Sequence, residues 1–231
     1  MIVALERTIK YVAERFYKPW LVRYLAVTRK YVYRGIRLEI PPGVFHPGFF
    51  FSSKFLLRWL ARQPLEGRSF LELGAGSGLI SLFAAGRGAV VTATDISPVA
   101  IQCLQKNREL NSAAMDIIHS DLYTSIPQQS YDVIAVNPPF YRKHPGSDAE
   151  KAWYCGADGE YFDVFFGGLA GYSHSRTDVW MVLCAGCDLD MISGLAARHG
   201  WALECVRTRR NIIERDYIFR IVRQAGGILW N

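Results

Sequence analysis

Two stretches of this chain hold residues whose types and spacing can do chemistry. The first is Phe70-Leu71-Glu72-Leu73-Gly74-Ala75-Gly76-Ser77-Gly78, an apolar run ending in a carboxyl and then in three glycines at alternate positions. Glycine lets the backbone take positive φ and approach a ligand closely, and a helix opening after such a turn offers unpaired N–H groups. The spacing predicts a site for a nucleotide-type ligand. A dinucleotide fingerprint needs Gly-x-Gly-x-x-Gly, whereas here the third glycine falls one place early, at Gly78, and Leu79 takes the required position. A carboxylate at Glu72 repels phosphates but suits an ammonium group. The second stretch is Asp132-Val133-Ile134-Ala135-Val136-Asn137-Pro138-Pro139-Phe140-Tyr141. Two prolines stiffen the chain and remove two donors, so backbone carbonyls stay free to accept. Asn137 adds a side-chain carbonyl. Such a corner can hold a planar NH₂ by both hydrogens while Phe140 or Tyr141 covers its π face.

Two more carboxyls fall where a nucleotide site needs them. Asp95, followed by Ile96, ends the run Val91-Thr92-Ala93-Thr94 about 20 residues beyond the glycine turn, the position from which a carboxylate accepts ribose hydroxyls. Asp121, followed by Leu122, ends the next run and either accepts from a base amino group or caps a helix.

The elements that must position these residues alternate in type. Strands are expected at Ser69 to Leu73, Ala89 to Asp95, Asp116 to Ser120, Tyr131 to Asn137, Thr177 to Cys184, Leu203 to Arg209 and Tyr217 to Arg223. Helices are expected at Gly78 to Ala85, Pro98 to Leu110, Tyr161 to Gly171 and Leu189 to His199. This is the pattern of an α/β fold with a seven-stranded, mostly parallel, doubly wound sheet. Ahead of it, alternation from Tyr31 to Ile40 predicts a short strand or hairpin. A helix from Ser52 to about Arg62, capped by Ser52 or Ser53, then stands in position to cover the ligand site.

The Glu72-x-Gly-x-Gly-x-Gly run resembles the first motif of class I methyltransferases. From about Tyr33 to Arg223 the chain resembles the protein-glutamine N5-methyltransferases that modify translation release factors, and their N6-adenine relatives. Tyr33-Arg34-Gly35 with Val44-Phe45-His46-Pro47 is similar to that family's hairpin and Pro-containing segment. Lys151 to Gly159 is similar to its Gly-Gly-x-Asp-Gly stretch, and Glu214 to Arg223 to its last strand. The resemblance implies a Rossmann-like fold and S-adenosyl-L-methionine as cofactor, a ligand with an amino-acid end, a sulfonium and no phosphate. It implies Glu72, Gly74, Ala75, Gly76, Gly78, Asp95, Ile96, Asp121, Leu122 and Asn137 as cofactor residues, and Asn137, Pro138, Pro139 and Phe140 as the catalytic loop. The implied reaction is N-methylation of a protein glutamine, with an RNA or DNA base amino group, adenine N6 or guanine N2, as the alternative. The chain departs from the family at Phe140, where tyrosine is usual, at Gly48-Phe49-Phe50-Phe51-Ser52-Ser53, which replaces an acid and a threonine, and at Cys155, where a glycine is expected. Asn-Pro-Pro-Phe also occurs in ribosomal RNA guanine N2-methyltransferases.

With 231 residues, 50% of them hydrophobic and 21% charged, the chain suits one domain plus an arm: residues 1–45 as basic aromatic arm and hairpin, residues 46–231 as the catalytic domain. Residues 1–45 hold nine Lys or Arg against three Asp or Glu, which is the whole of the net charge of +6. Leu5, Ile9, Val12 and Phe16 predict an amphipathic helix there. The basic residues are interleaved with aromatics, so residues 1–37 either contact nucleic acid, rest at a membrane surface, or pack on the domain. Neither a signal peptide nor a membrane-spanning run is expected, which predicts a soluble cytoplasmic protein. The five cysteines are odd in number and scattered, and Cys184-Ala185-Gly186-Cys187 is too few ligands for a structural zinc. Two further readings compete: a catalytically silent cofactor-binding partner protein, and a nicotinamide dehydrogenase, which the glycine spacing disfavours.

Overall fold

The computed structural model describes residues 18–49, 51–147, 150–210 and 215–224. The helix expected from Leu5 to Phe16, and Glu214, lie outside them. The centre of the molecule is β3 (Ser69–Leu73), parallel to β4 (Val90–Asp95) on one side and to β6 (Tyr131–Val136) on the other. β5 (Met115–His119) extends the sheet past β4, and β7 (Ser173–Cys184) extends it past β6. The strand order is β5-β4-β3-β6-β7-β9-β8, with β8 (Trp201–Arg210) at the edge and β9 (Arg215–Arg223) antiparallel to both its neighbours. Because β3 is followed in sequence by β4 but flanked on its other side by β6, a crevice opens at their carboxyl ends, where open α/β sheets bind ligands.

Side-chain alternation along β3 splits the core into two layers. Phe70 points to the layer holding α2 (Phe51–Leu60), α3 (Leu79–Ala85) and α4 (Pro98–Leu110), while Leu71 and Leu73 point to the layer holding α5 (Glu160–Gly168) and α6 (Leu189–Arg198). α4 has the expected bounds because Ser97 caps it, accepting from the Ala100 N–H, and Pro98 starts its first turn. β7 starts four residues before the expected Thr177. Its polar start hides the strand pattern, and a register shift beside Tyr131, bridged by the Thr177 hydroxyl donating to the Tyr131 carbonyl at 2.7 Å, holds it in the sheet.

The hairpin of β1 (Arg29–Tyr33) and β2 (Ile36–Ile40) turns through Arg34 and Gly35, at φ 51° and 82°, the two positive values of a type I′ turn. It is tied to α4 by two asparagines one turn apart. Asn107 accepts from the Glu39 N–H at 2.8 Å and donates to the Ser77 carbonyl at 2.9 Å, while Asn111 accepts from and donates to the Arg37 backbone. Leu38 and Ile40 are thereby buried in the first core layer. Ahead of the hairpin, α1 (Lys18–Leu25) places Trp20 and Tyr24 against Phe49, with ring centroids 6.0 and 5.2 Å away. Among the described residues no helix is long and apolar enough to cross a membrane.

Candidate active site

The site is built at the carboxyl ends of β3, β4, β5 and β6, which the parallel register brings level: Leu73 faces Thr94 and Val136, and Asp95 faces His119. After β3 the chain turns through Gly74 and Gly76, both at positive φ, and the turn is tied to β4 rather than free. Ala75 N–H donates to the Thr94 carbonyl and Gly76 N–H to Asp95 Oδ2, each at 2.8 Å. Asp95 Oδ1 accepts from the Ser97 N–H at 2.9 Å. A carboxylate has about four acceptor sites, so Asp95 keeps acceptor capacity beyond these backbone contacts. Burial pushes the Asp95 carboxyl up, against the pull of these N–H groups.

Glu72 points to the α3 side of β3, where the Ser81 hydroxyl donates to its Oε2. The residue is 3% exposed, and burial raises its pKa to about 8. At neutral pH this carboxyl therefore holds its proton until a cation meets it.

Asn137 follows β6, and Pro138 after it keeps its backbone extended. Its Nδ2 donates to the Ser53 hydroxyl at 3.1 Å. The expectation that Ser52 or Ser53 caps α2 is not met: the helix already includes Phe51, so Ser53 lies in its first turn and its hydroxyl faces Asn137. Beyond the prolines the loop is anchored by backbone bonds, Tyr141 N–H to the Trp153 carbonyl at 3.0 Å and Cys155 N–H to the Tyr141 carbonyl at 2.9 Å. This bridge decides between the two aromatics. Phe140 lines the cavity, whereas Tyr141 is 45% exposed.

One cavity of about 620 Å³ brings the expected residues together. Glu72, Gly74, Ala75, Gly76, Asp95 and Ile96 line it, as do Asp121, Leu122, Asn137, Pro138, Pro139 and Phe140. Gly78 does not line it. It caps α3 at φ +81°, a left-handed backbone that favours glycine, and a Cβ there would also stand 2.8 Å from Leu104 Cδ2 on α4. Asp121 caps no helix: turns follow it, and the Ser120 hydroxyl accepts the Ser125 N–H at 3.0 Å.

Further lining residues come from the stretches that only the family resemblance marked, Val44 to Pro47 and Lys151 to Gly159, and one, Tyr161, carried no sequence signal. Phe45 and Trp153 meet at 5.4 Å over the cavity, and Tyr161, from the first turn of α5, reaches it from the second core layer. Burial raises the Tyr161 phenol well above its ordinary range, with the charges of Asp95 and Asp121 adding to the effect. The Cys184 and Cys187 thiols lie 3.7 Å apart and buried, and among the described residues no group of three or more His, Cys, Asp or Glu is placed to hold a metal.

Beside the site, α2 carries Lys54 and Arg58 one turn apart, and Lys54 Nζ and the Arg209 guanidinium stand over the Phe51 ring at 4.8 and 5.6 Å. Among the described residues neither Lys54 nor Arg58 has a carboxylate partner. Burial and the charges of Arg58 and Arg209 push the Lys54 ammonium down.

The family model of the methyltransferase small domain matches residues 35–153. A putative protein N5-glutamine methyltransferase of Methanocaldococcus jannaschii is 34% identical over 147 residues, 60% of this chain and 71% of that protein. The ribosomal RNA small subunit methyltransferase C of Chromohalobacter salexigens is 32% identical over 112 residues, 47% of this chain but only 33% of that longer protein. Among solved structures, the T. thermophilus 16S rRNA N2 G1207 methyltransferase in complex with AdoMet and guanosine shares the fold, with a TM-score of 0.60, 22% identity, and coverage of 84% of this chain and 50% of that one.

Proposed function

The chain belongs to the methyltransferase small domain family and is an S-adenosylmethionine-dependent methyltransferase, and from that premise we propose that it methylates a planar NH₂ group held at Asn137, first of all the side-chain amide of a protein glutamine. The cavity suits the cofactor. A Cβ at Gly74 would meet nothing within 4 Å, so the turn faces open space, and three carboxyls follow along the wall. Glu72 takes the ammonium group, the spare lone pairs of Asp95 take the ribose hydroxyls, and Asp121 takes the base amino group between Ile96 and Leu122. When bound, S-adenosylmethionine supplies a methyl group on a positively charged sulfur, electrophilic without further activation.

The rest is positioning by this chain's own residues. Asn137 Oδ1 and a backbone carbonyl of the Pro138-Pro139 corner accept both hydrogens of the substrate NH₂, which draws the nitrogen lone pair out of conjugation. Phe140 covers the planar group and excludes water from one face. Once the N–C bond forms, the nitrogen's extra proton is acidic and leaves to water.

A single observation carries this reading: Glu72, on β3, and Asn137, just past the adjacent strand β6, open onto the same cavity. The archaeal relative supports glutamine as the acceptor. The test is transfer of labelled methyl from S-adenosylmethionine into a cell extract. Protease-sensitive label that strong-acid hydrolysis releases as methylamine is expected for a methylated amide, and label that only nuclease releases would overturn it. A second reading, a nucleic-acid base amino group, is favoured by Lys54 and Arg58, since like charges at this spacing repel unless an anion joins them. It predicts the nuclease-sensitive outcome.

A further inference from the structure

We infer that Ser53 is a positioning residue for this reaction, holding the Asn137 amide with its Oδ1 toward the substrate. The inference rests on the reading of Asn137 as the group that holds the NH₂. An asparagine amide is nearly two-fold about its last torsion, so its two orientations occupy the same space and differ only in where O and N lie. They are opposite in function. With Oδ1 toward the cavity the side chain accepts from a substrate NH₂, and with Nδ2 there it sets donor against donor.

β6 and Pro138 fix where the Asn137 side chain starts, but neither selects between these orientations. Ser53 holds the orientation seen: its hydroxyl accepts from Nδ2 at 3.1 Å, which leaves Oδ1 for the substrate, and that bond must break before the amide can turn over. Ser53 lines the same cavity, is 8% exposed, and comes from a different element, the first turn of α2. That helix cannot drift, because Leu56, Leu57 and Leu60, on the same face as Ser53, are buried with Phe55 in the first core layer. The contact has no counterpart in capping, since Ser53 is inside the helix.

The test uses the full chain as Ser53→Ala, Ser53→Thr and Asn137→Ala. The Asn137 side-chain amide is first assigned in the ¹H–¹⁵N spectrum as the NH₂ pair missing from Asn137→Ala. In Ser53→Ala that pair is expected to shift and lose its protection from hydrogen exchange. S-adenosylhomocysteine affinity should stay within about two-fold, and kcat for methyl transfer to a glutamine-bearing protein substrate should fall about 10-fold or more with KM little changed. Ser53→Thr, which keeps the hydroxyl, should restore both the protection and kcat. Unchanged Asn137 amide signals in Ser53→Ala, or kcat within two-fold of the parent while Asn137→Ala is inactive, would overturn the inference and leave the Asn137 reading standing. An Asn137→Ala variant that retains activity would instead remove the reading beneath it.

Discussion

The Ser81 hydroxyl on α3 donates to Glu72 Oε2 on β3, joining two residues that are 0% and 3% exposed, the second of them lining the cavity. This bond favours the ionised carboxyl, yet burial outweighs it and lifts the pKa from 4.5 to about 8. Below pH 4.5 the group is protonated in folded and unfolded chains alike. Between 4.5 and 8 the unfolded chain has released the proton while the folded chain keeps it, so stability falls as pH rises through that window and falls no further above it. Glu72→Gln, which cannot ionise, should therefore melt at a higher temperature than the parent by a margin that grows from pH 5 to pH 8 and then levels. Thermal melts of both proteins across that range check this, and a margin independent of pH contradicts it.

If Glu72 meets the ammonium of the cofactor, binding must strip its proton. Titrating S-adenosylhomocysteine at pH 7 in phosphate and in Tris should give enthalpies that differ by the buffers' ionisation heats, reporting release of up to one proton. Glu72→Gln should abolish that difference. Equal enthalpies in the two buffers for the parent would exclude the contact.

Asp95→Ala should lower S-adenosylhomocysteine affinity by removing acceptors for the ribose hydroxyls. The fold will feel it too, because Gly76 and Ser97 each lose an acceptor for a backbone N–H, at about 1–3 kcal/mol for each group left unpaired. Calorimetric titration and urea unfolding measure the two effects separately. Affinity equal to the parent's would remove the ribose role.

For Asn137→Ala the pattern reverses. Cofactor affinity should hold within a few-fold while methyl transfer drops by about 10²-fold or more, since the lost acceptor acts on the reacting nitrogen. Single-turnover transfer of labelled methyl separates the two. Activity within a few-fold of the parent would mean that the NH₂ is held elsewhere.

Removing residues 1–25 should lower the melting temperature, because Trp20 and Tyr24 pack on Phe49 at the start of the segment that leads to Ser53. Under the glutamine reading, RNA retention near physiological salt should be negligible before and after truncation. Retention by the full chain that weakens on truncation, with a flatter salt dependence, would favour the base-methylating reading.

Much of this was legible in the residues alone. Strand periodicity and the Glu72 to Gly78 and Asn137 to Phe140 runs determined the sheet, the cofactor class and the loop that lines the cavity, because each is a local pattern whose chemistry follows from spacing. Three things were decided only by the tertiary structure. Asn107 reads as one polar residue on a helix, but it is wholly buried and joins the hairpin to the glycine turn, contacts made across about 30 and 70 residues of sequence. Gly78 reads as part of the ligand turn, yet the side chain it makes room for is Leu104, one helix away. Ser53 reads as a cap, and its meaning changes because α2 packs across β7 and β9 and brings its hydroxyl within 3.1 Å of Asn137. In each case a local reading was at hand, and the partner that the side chain meets is distant in the chain. A hydrogen bond or a steric contact is set by distance in space, which periodicity along the sequence does not encode.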